Sequence, residues 1–303
     1  MSMAQPVILG EMPSLSKLYV NAAAGAARRR ILGSPAGAAL PAVSHEVREV
    51  RADVENLTAY QHLVGETASD VLPAGFLHAM AFPVAMSVLN RDDFPLPLLG
   101  MIHLRNVVEQ FIPARFTEPL DITARAEGLR AHRAGTQLDV LAEIRGSGDG
   151  AVRWRGVSTY LAKGVFLPGI DKASAEDRAG DFKAPDPTAV WQLGVDTGRA
   201  YAAVSGDFNP IHLSVLSAKA LGLRRSIAHG MYLASRALAD VGAARGDSFR
   251  WDVSFDAPVY LPARVALEIS TVQGEGDAWL KSDYVAWNRS SGRKHFSGSV
   301  SAL

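Results

Sequence analysis

An acid and a base lie close together in the second half of the chain. The segment 201–235 contains Asp207 and His212, with Asn209 and Pro210 between them. Because a proline cannot sit inside a regular helix, the chain must bend here, and both side chains can point at one position. A carboxylate and an imidazole differ in ordinary pKa, which suits them to share one water molecule. Asp207 and His212 are therefore the candidate catalytic pair.

The same segment contains a second candidate group, Ala228-His229-Gly230-Met231, at the start of a predicted helix. The first turn of a helix presents free backbone N–H groups and the positive end of the helix dipole. A glycine at position 230 lets a carbonyl oxygen approach the backbone, since no Cβ is in the way. Taken alone, Asp-x-Asn-Pro is usually a turn or a helix cap. The two motifs together favour catalysis.

The segment resembles the hydratase-2 or MaoC-like motif of (R)-specific enoyl-CoA hydratases and 3-hydroxyacyl-thioester dehydratases. The matching residues are Tyr201, Ser205-Gly206-Asp207, Asn209-Pro210-Ile211-His212, Ala218, Gly222 and Ile227-Ala228-His229-Gly230-Met231. The whole chain is similar to the two-unit dehydratases of mycobacterial type, in which only the second unit keeps the motif. The resemblance implies reversible hydration of trans-2-enoyl thioesters to (3R)-3-hydroxyacyl thioesters, without a cofactor or a metal ion.

The resemblance also implies roles for individual residues. Asp207 and His212 hold and activate the water, and Asn209 orients the pair or the water by hydrogen bonding. The backbone N–H of Gly230 stabilises the thioester oxygen as negative charge develops on it.

Two further residues of the segment are predicted to lie at the substrate. His229 either fixes the loop by hydrogen bonds or is a rival catalytic residue. Ser235 either faces the substrate or satisfies a backbone carbonyl inside its own helix.

The first half of the chain contains a segment similar to 201–207 but lacks the acid–base pair. The segments 60–66 and 201–207 are similar, and Glu66 falls in register with Asp207, but residues 67–72 contain no Asn-Pro-x-His. We therefore predict that the first half binds the acyl chain, with Phe82 and Met86 as walls. Ordinary core packing of these two side chains is the alternative.

Hydrophobic patterning predicts one buried helix followed by an antiparallel sheet in each half. The predicted helices cover residues 73–89 and 227–241. The predicted strands cover residues 103–111, 121–128, 137–145 and 152–161 in the first half, and 250–256, 265–270, 280–287 and 295–303 in the second. These elements predict an α+β double hot-dog fold, in which two antiparallel sheets each wrap a buried helix.

Composition changes along the chain predict four segments. Residues 1–42 are an N-terminal arm or leader, for which a mitochondrial presequence is the alternative. Residues 43–164 are the non-catalytic hot-dog unit, and residues 189–303 are the catalytic unit. Residues 165–188, which are rich in Pro and Gly, are the linker between them.

The overall composition narrows the functional classes. Lys plus Arg and Asp plus Glu each number 31, so no excess of positive charge indicates a nucleic-acid partner. The chain has no cysteine, which excludes a thiolate metal site and a cysteine nucleophile. No apolar run reaches the roughly 20 residues of a membrane-spanning helix. We predict a cytoplasmic enzyme whose partner is an acyl-CoA or acyl-carrier-protein thioester, with no membrane partner; a homodimer of two-unit chains is compatible with this.

Two other functions remain open. A thioesterase on the same fold would place its carboxylate on or near the buried helix, whereas Asp207 and His212 precede it. A non-catalytic acyl-thioester-binding protein would have a damaged pair. The sequence leaves open the acyl length, the direction of the reaction and the choice between coenzyme A and a carrier protein. Arg224 and Arg225 are either phosphate ligands of such a carrier or a solvated pair of cations.

Overall fold

The computed structural model describes residues 5–32, 39–170 and 182–303, and only the backbone of Gln5 and of residues 26–32. Parts of the predicted arm (1–4 and 33–38) and of the predicted linker (171–181) lie outside these residues. The chain folds into two compact units. The first contains Met1–Arg51, His78–Asn106 and Thr117–Arg178, and the second contains Ala52–Leu77, Val107–Phe116 and Ala179–Leu303.

Seven α-helices and eleven strands lie in the described residues. In chain order they are β1 Gln5–Ile8, α1 Leu15–Leu32, β2 Val43–Val50, α2 Val54–Val64, α3 Ala74–Leu89, β3 Met101–Gln110, β4 Leu120–His132, β5 Gly135–Gly146, β6 Val152–Lys163, β7 Ala189–Leu193, α4 Thr197–Ser205, α5 Pro210–Leu213, α6 Val215–Ala220, α7 Gly230–Val241, β8 Phe249–Phe255, β9 Ala263–Gln273, β10 Trp279–Asn288 and β11 Lys294–Ala302. None of these helices combines the length and the apolar character that a membrane crossing requires.

The first unit is a sheet with one long buried helix. Its strands follow the order β1-β2-β4-β5-β6-β3, in which β2, β4, β5 and β6 pair antiparallel and β1 joins the edge parallel to β2. Alternate residues of β5 are buried, including Leu138, Val140 and Ile144, because successive side chains of a strand point to opposite faces. The part of α3 in this unit is apolar on nearly every face and is buried accordingly.

The second unit repeats this arrangement with five of the strands. Their order is β8-β11-β10-β9-β7, and every pair is antiparallel. Trp251 and Val253 are buried at alternate positions of β8. The buried helix of this unit is α7, and the short helices α4, α5 and α6 lead into it. Asp207 lies between α4 and α5 and His212 lies in α5, so both residues precede α7.

All eight predicted strands and both predicted buried helices are present, which confirms the predicted class. The start of the second buried helix was wrong, and the strand ends differ from their predicted positions by up to four residues. The helix predicted over 227–241 begins only at Gly230. Ile227 bridges Tyr260, and the N–H of Ala228 donates to the carbonyl of Val259, so this stretch pairs with a neighbouring segment and cannot be helical.

Burial of His78 makes the stability of the fold depend on pH. His78 lies in α3, is 7% exposed and stacks on Phe82. Burial lowers the pKa of His78 from 6.5 to about 4. The unfolded chain therefore binds a proton at a higher pH than the folded chain does. The stabilisation is complete above pH 6.5 and is lost as the pH falls from 6.5 towards 4.

We expect a loss of about 3 kcal/mol in unfolding free energy from this one residue over that window, since one pKa unit corresponds to about 1.4 kcal/mol. Denaturant titrations at a series of pH values measure it. His78→Gln should lose about 3 kcal/mol less than the parent between pH 6.5 and 4, while the control His62→Gln, at an exposed position, should follow the parent. An equal loss in His78→Gln and the parent would contradict the assignment.

Candidate active site

The bend between α4 and α5 positions the carboxylate. Helix α4 ends at Gly206, which adopts the left-handed conformation with φ 72°. Asp207 follows, and its Oδ1 accepts the backbone N–H of Asn209 at 3.2 Å. The side-chain oxygen of Asn209 in turn accepts the N–H of Ile211 at 3.4 Å and caps α5. Pro210 fits the first turn of α5 because a proline needs no hydrogen-bond acceptor there.

His212 is held by a backbone carbonyl. Its Nδ1 donates to the oxygen of Ile227 at 2.9 Å, so the neutral ring has its lone pair on Nε2. The side chain is buried, with 8% exposed. Burial lowers the pKa of His212, although the negative charge of Asp207 and the hydrogen bond to Ile227 oppose this. His212 is therefore neutral at neutral pH and can accept a proton at Nε2.

A second histidine lies against the first. The rings of His212 and His229 stack with their centroids 3.6 Å apart. The Nε2 of His229 donates to the backbone oxygen of Asp207 at 3.0 Å and lies 3.7 Å from its carboxylate Oδ2. Burial lowers the pKa of His229 well below 6.5; the neighbouring His212 adds to this, and the hydrogen bond to Asp207 opposes it. The structure thus brings Asp207, His212 and His229 together.

These three side chains have the types that bind metal ions, and their ligand atoms lie within 4.8 Å of one another. However, a histidine binds a metal through a lone pair in the plane of its ring. Two rings stacked face to face cannot both direct such a lone pair at one ion. The Nε2 of His229 is also occupied as a donor to Asp207. The arrangement therefore fits an acid–base pair holding a water molecule better than it fits a metal site.

The backbone donor predicted at Gly230 would lie at the beginning of α7. His229 is the N-cap of α7 and makes no side-chain capping bond, and Gly230 is the first helical residue. The first N–H groups of a helix have no acceptor within the helix. A Cβ at position 230 would lie 2.9 Å from the ring of Phe255. Packing against Phe255 therefore requires glycine here, in addition to any need for a close approach of substrate.

Gly198 sets the distance between α4 and α5. A Cβ at this position would lie 2.1 Å from the backbone oxygen of His212, so glycine allows the two backbones to touch. Gly198 was not predicted from the sequence. An isolated glycine inside a helical run was the available signal, because such a residue weakens a helix unless packing requires it.

Ser235 has a partner that was not predicted from the sequence either. Its Oγ accepts a hydrogen bond from the hydroxyl of Tyr60 at 2.8 Å, and both side chains are buried. A Cβ on Gly75 would lie 2.2 Å from this Oγ, so the contact is tightly enclosed. No signal in the sequence could have found it, because the two residues are 175 positions apart. The sequence left two partners open for Ser235, the substrate or a backbone carbonyl of its own helix. In the structure its hydroxyl instead bonds to the side chain of Tyr60.

The similarity between segments 60–66 and 201–207 is visible in their backbones. Glu66 follows the left-handed Gly65, just as Asp207 follows Gly206. The carboxylate of Glu66 forms an ion pair with Arg245 at 2.6 Å, and both side chains are largely buried. Because this charge is neutralised by a cation, Glu66 is a poor candidate for a base.

Phe82 and Met86 lie in the part of α3 that belongs to the first unit. Met86 is 3% exposed, whereas Phe82 is half-buried and its ring centroid lies 6.0 Å from that of His78. Met86 is therefore a core residue, whereas Phe82 is only partly covered, and the role of the two side chains as walls for an acyl chain stays a prediction.

Comparison with known proteins places this site in context. Residues 171–288 match the family described as a MaoC like domain. The chain is 34% identical over 292 residues to 3-hydroxyacyl-thioester dehydratase X of Mycobacterium tuberculosis (strain ATCC 25618 / H37Rv), covering 96% of this chain and 99% of that protein. The crystal structure of HtdX of Mycobacterium tuberculosis matches with a TM-score of 0.73 and 32% identity, covering 86% of this chain and 100% of HtdX.

A more distant structure supports the fold alone. RV0216, a conserved hypothetical protein from Mycobacterium tuberculosis described as having a double hotdog fold, matches with a TM-score of 0.54 at 15% identity. The match covers 84% of this chain and 93% of the RV0216 chain. The similarity confirms the predicted double hot-dog fold.

Proposed function

This chain belongs to the MaoC-like dehydratase family, and from this premise we propose that Asp207 and His212 catalyse the reversible addition of water to trans-2-enoyl thioesters. It is a hydro-lyase, and its relative of 34% identity is named for 3-hydroxyacyl thioesters. The observation that carries the catalytic assignment is the bond from Nδ1 of His212 to Ile227, which leaves Nε2 as a proton acceptor close to Asp207.

In the hydration direction, Nε2 of His212 takes a proton from a water molecule that the carboxylate of Asp207 also holds. The water oxygen bonds to C3 of the substrate, and the electrons of the double bond move towards the thioester carbonyl. The protonated His212 then donates its proton to C2. One water is consumed, and His212 returns to its neutral state. The carboxylate of Asp207 stabilises the imidazolium while it exists.

The negative charge that develops on the thioester oxygen needs a donor. We assign this role to the backbone N–H of Gly230, at the positive end of the α7 dipole. The donor belongs to a helix, so it is already oriented when charge develops.

Asn209 and His229 act in this proposal as positioning residues. Asn209 accepts the N–H of Ile211 and so holds the start of α5, the helix that carries His212. His229 donates to the backbone of Asp207 and supports the ring of His212 from one face. Loss of either should disturb the pair without removing a reacting group.

A thioesterase is the alternative enzyme on this fold, and one assay separates it from a hydratase. With crotonyl-CoA as substrate, hydration removes the ultraviolet absorbance of the conjugated double bond and releases no thiol. Hydrolysis instead liberates free coenzyme A, which a thiol reagent detects. We expect loss of the conjugated absorbance without release of thiol. Release of thiol at the rate of absorbance loss would contradict the proposal.

Phe82 and Met86 provide a test of the acyl-binding role of the first half. We expect Phe82→Ala and Met86→Ala to change kcat/KM for long acyl chains more than for crotonyl-CoA. Pure core damage costs about 2–5 kcal/mol of stability and should affect every chain length alike. The measurement is kcat/KM against acyl length, with a melting curve for each variant. A uniform fall that tracks the loss of stability would assign both residues to the core.

A further inference from the structure

Six polar or aromatic side chains lie together inside the first unit, where core residues are usually apolar. The ring centroid of His78 in α3 is 6.2 Å from that of His103 in β3 and 6.2 Å from that of Trp154 in β6. His103 stacks on Tyr160 of β6, with the two centroids 4.7 Å apart. We call this set the polar group, and its members are His78, His103, Asn106, Trp154, Ser158 and Tyr160.

The indole of Trp154 is held with its N–H inside the unit. Trp154 is 1% exposed, and a Cβ at position 156 would lie 2.2 Å from its ring, so Gly156 leaves room for the ring on β6. Nε1 of Trp154 has no hydrogen-bond acceptor among the described residues. An indole N–H can only donate, so this buried donor is not satisfied within the described part of the chain.

Asn106 supplies a second buried donor of the same kind. Its side chain is fully buried, and its Oδ1 accepts the hydroxyl of Ser158 at 2.8 Å. Its Nδ2 has no acceptor within the ranges that the structure describes. A buried donor without an acceptor costs about 1–3 kcal/mol. Two such donors in one group are therefore suited to bind an acceptor from outside the chain.

The charges of the polar group select the kind of acceptor. Its members include no Lys or Arg, so a buried carboxylate or phosphate would have no cation among them to neutralise it. Burial lowers the pKa of His78 to about 4 and that of His103 to about 3, so neither ring is positively charged at neutral pH. A neutral oxygen, such as that of a hydroxyl or a ketone, is the acceptor that fits.

His78 connects the polar group to the side chain proposed as a wall for the acyl chain. It stacks on Phe82, which lies one turn further along α3, with the ring centroids 6.0 Å apart. Phe82 and His103 are each only partly buried, so the polar group is not sealed inside the core. An acyl chain bound along Phe82 would therefore come next to His78.

We propose that the polar group binds an oxygen atom carried on the acyl chain, and that the preferred substrates are thioesters whose chains bear a hydroxyl or keto group. The proposal rests on the proposed function, and in particular on acyl binding by the first half of the chain. The N–H groups of Trp154 and Asn106 donate to this oxygen, and a hydroxyl can also donate to the neutral ring of His78. An unsubstituted chain leaves both donors without an acceptor, which is the source of the selectivity.

Binding of saturated thioesters tests the site without any dependence on catalysis, because a saturated chain has no double bond to hydrate. Saturated ω-hydroxyacyl-CoAs and their unsubstituted counterparts, at a series of chain lengths, are titrated into the full chain by calorimetry. We expect the hydroxyl to tighten binding about tenfold at the length that reaches the polar group, as is typical for satisfying buried donors. Equal affinity within every pair would overturn the proposal and would leave the two donors to bind water.

Trp154→Phe removes the N–H and keeps an aromatic ring. We expect this variant to bind the hydroxylated chain about tenfold more weakly than the parent does, and the unsubstituted chain equally well. The control Trp279→Phe removes an indole N–H that donates to Ser282 in the second unit, and it should keep the preference of the parent. A melting curve confirms that each variant is folded. A parent-like preference in folded Trp154→Phe would contradict the assignment, and if this variant does not fold, the ligand pairs with the parent decide.

A kinetic measurement separates failure of this site from failure of the proposed function. The parent and Trp154→Phe are compared in kcat/KM for trans-2-enoyl-CoAs with and without the ω-hydroxyl. We expect the hydroxyl to raise kcat/KM in the parent and not in Trp154→Phe. Hydration without any such preference would overturn the role of the polar group alone. If the parent hydrates no enoyl thioester, the proposed function fails, while the calorimetric result still decides the polar group.

Discussion

Asp207→Asn and His212→Ala should each lower kcat for hydration of crotonyl-CoA by about 10²–10⁴-fold, the usual effect of losing a general acid or base. Asparagine is close in size to aspartate but cannot hold the negative charge that orients the water and stabilises the imidazolium. Alanine at position 212 removes the proton acceptor itself. Asparagine keeps the Oδ1 that accepts the N–H of Asn209, and alanine at position 212 removes one hydrogen bond, to Ile227, so we expect both variants to fold.

Two exposed residues of the same unit provide matched controls. Asp247→Asn and His62→Ala make the same chemical changes away from the site, and both should retain the kcat of the parent. Steady-state kinetics and a melting curve are measured for all four variants. If Asp207→Asn or His212→Ala kept most of its activity, the catalytic assignment of that residue would be wrong. If a variant were inactive because it is unfolded, its melting transition and its circular dichroism spectrum would be lost as well.

Gly198→Ala is expected to damage both the stability and the activity of the protein. The added methyl group would lie 2.1 Å from the backbone oxygen of His212. Because this oxygen belongs to the backbone, it cannot move aside as the end of a flexible side chain could. Forced overpacking of this kind costs about 1–3 kcal/mol in the free energy of unfolding. The chain must separate α4 from α5, and this moves His212. A displacement of about 1 Å at a reacting group can lower the rate by about 10²-fold.

The control for Gly198→Ala is Gly148→Ala, since a Cβ at position 148 meets nothing within 4 Å. We expect the control to match the parent in denaturant titration and in kcat. For Gly198→Ala we expect a lower unfolding free energy, together with a fall in kcat that persists where the variant is fully folded. Unchanged activity in a folded Gly198→Ala protein would show that the spacing of α4 and α5 does not set the position of His212.

The sequence predicted the fold because its signals are local and repeated. The alternation of Trp251 and Val253 with polar neighbours predicts one buried face, and β8 has that face. The same signal predicted all eight strands of the two predicted sheets. It did not predict β1 or β7, since these strands are short and lie at sheet edges, where burial imposes a weaker pattern. It did not predict β2 either, because only two of its eight residues, His45 and Val47, are buried.

The composition of the candidate site was also predictable, but its internal contacts were not. Asp207, His212 and His229 come together as their spacing and motif predict. By contrast, the hydrogen bond from Tyr60 to Ser235 joins residues 175 positions apart, and no local pattern specifies such a contact. The start of α7 was placed too early because pairing of residue 228 with residue 259 overrides the helical pattern of the segment.

The central claim is that this site adds water to an enoyl thioester in the manner of its family. The most direct test is chiral analysis of the 3-hydroxybutyryl thioester that the purified protein forms from crotonyl-CoA and water. The account predicts a product that is predominantly (3R), formed by the parent and by Gly148→Ala but not by His212→Ala. A predominantly (3S) product, or the same yield from His212→Ala as from the parent, would contradict it.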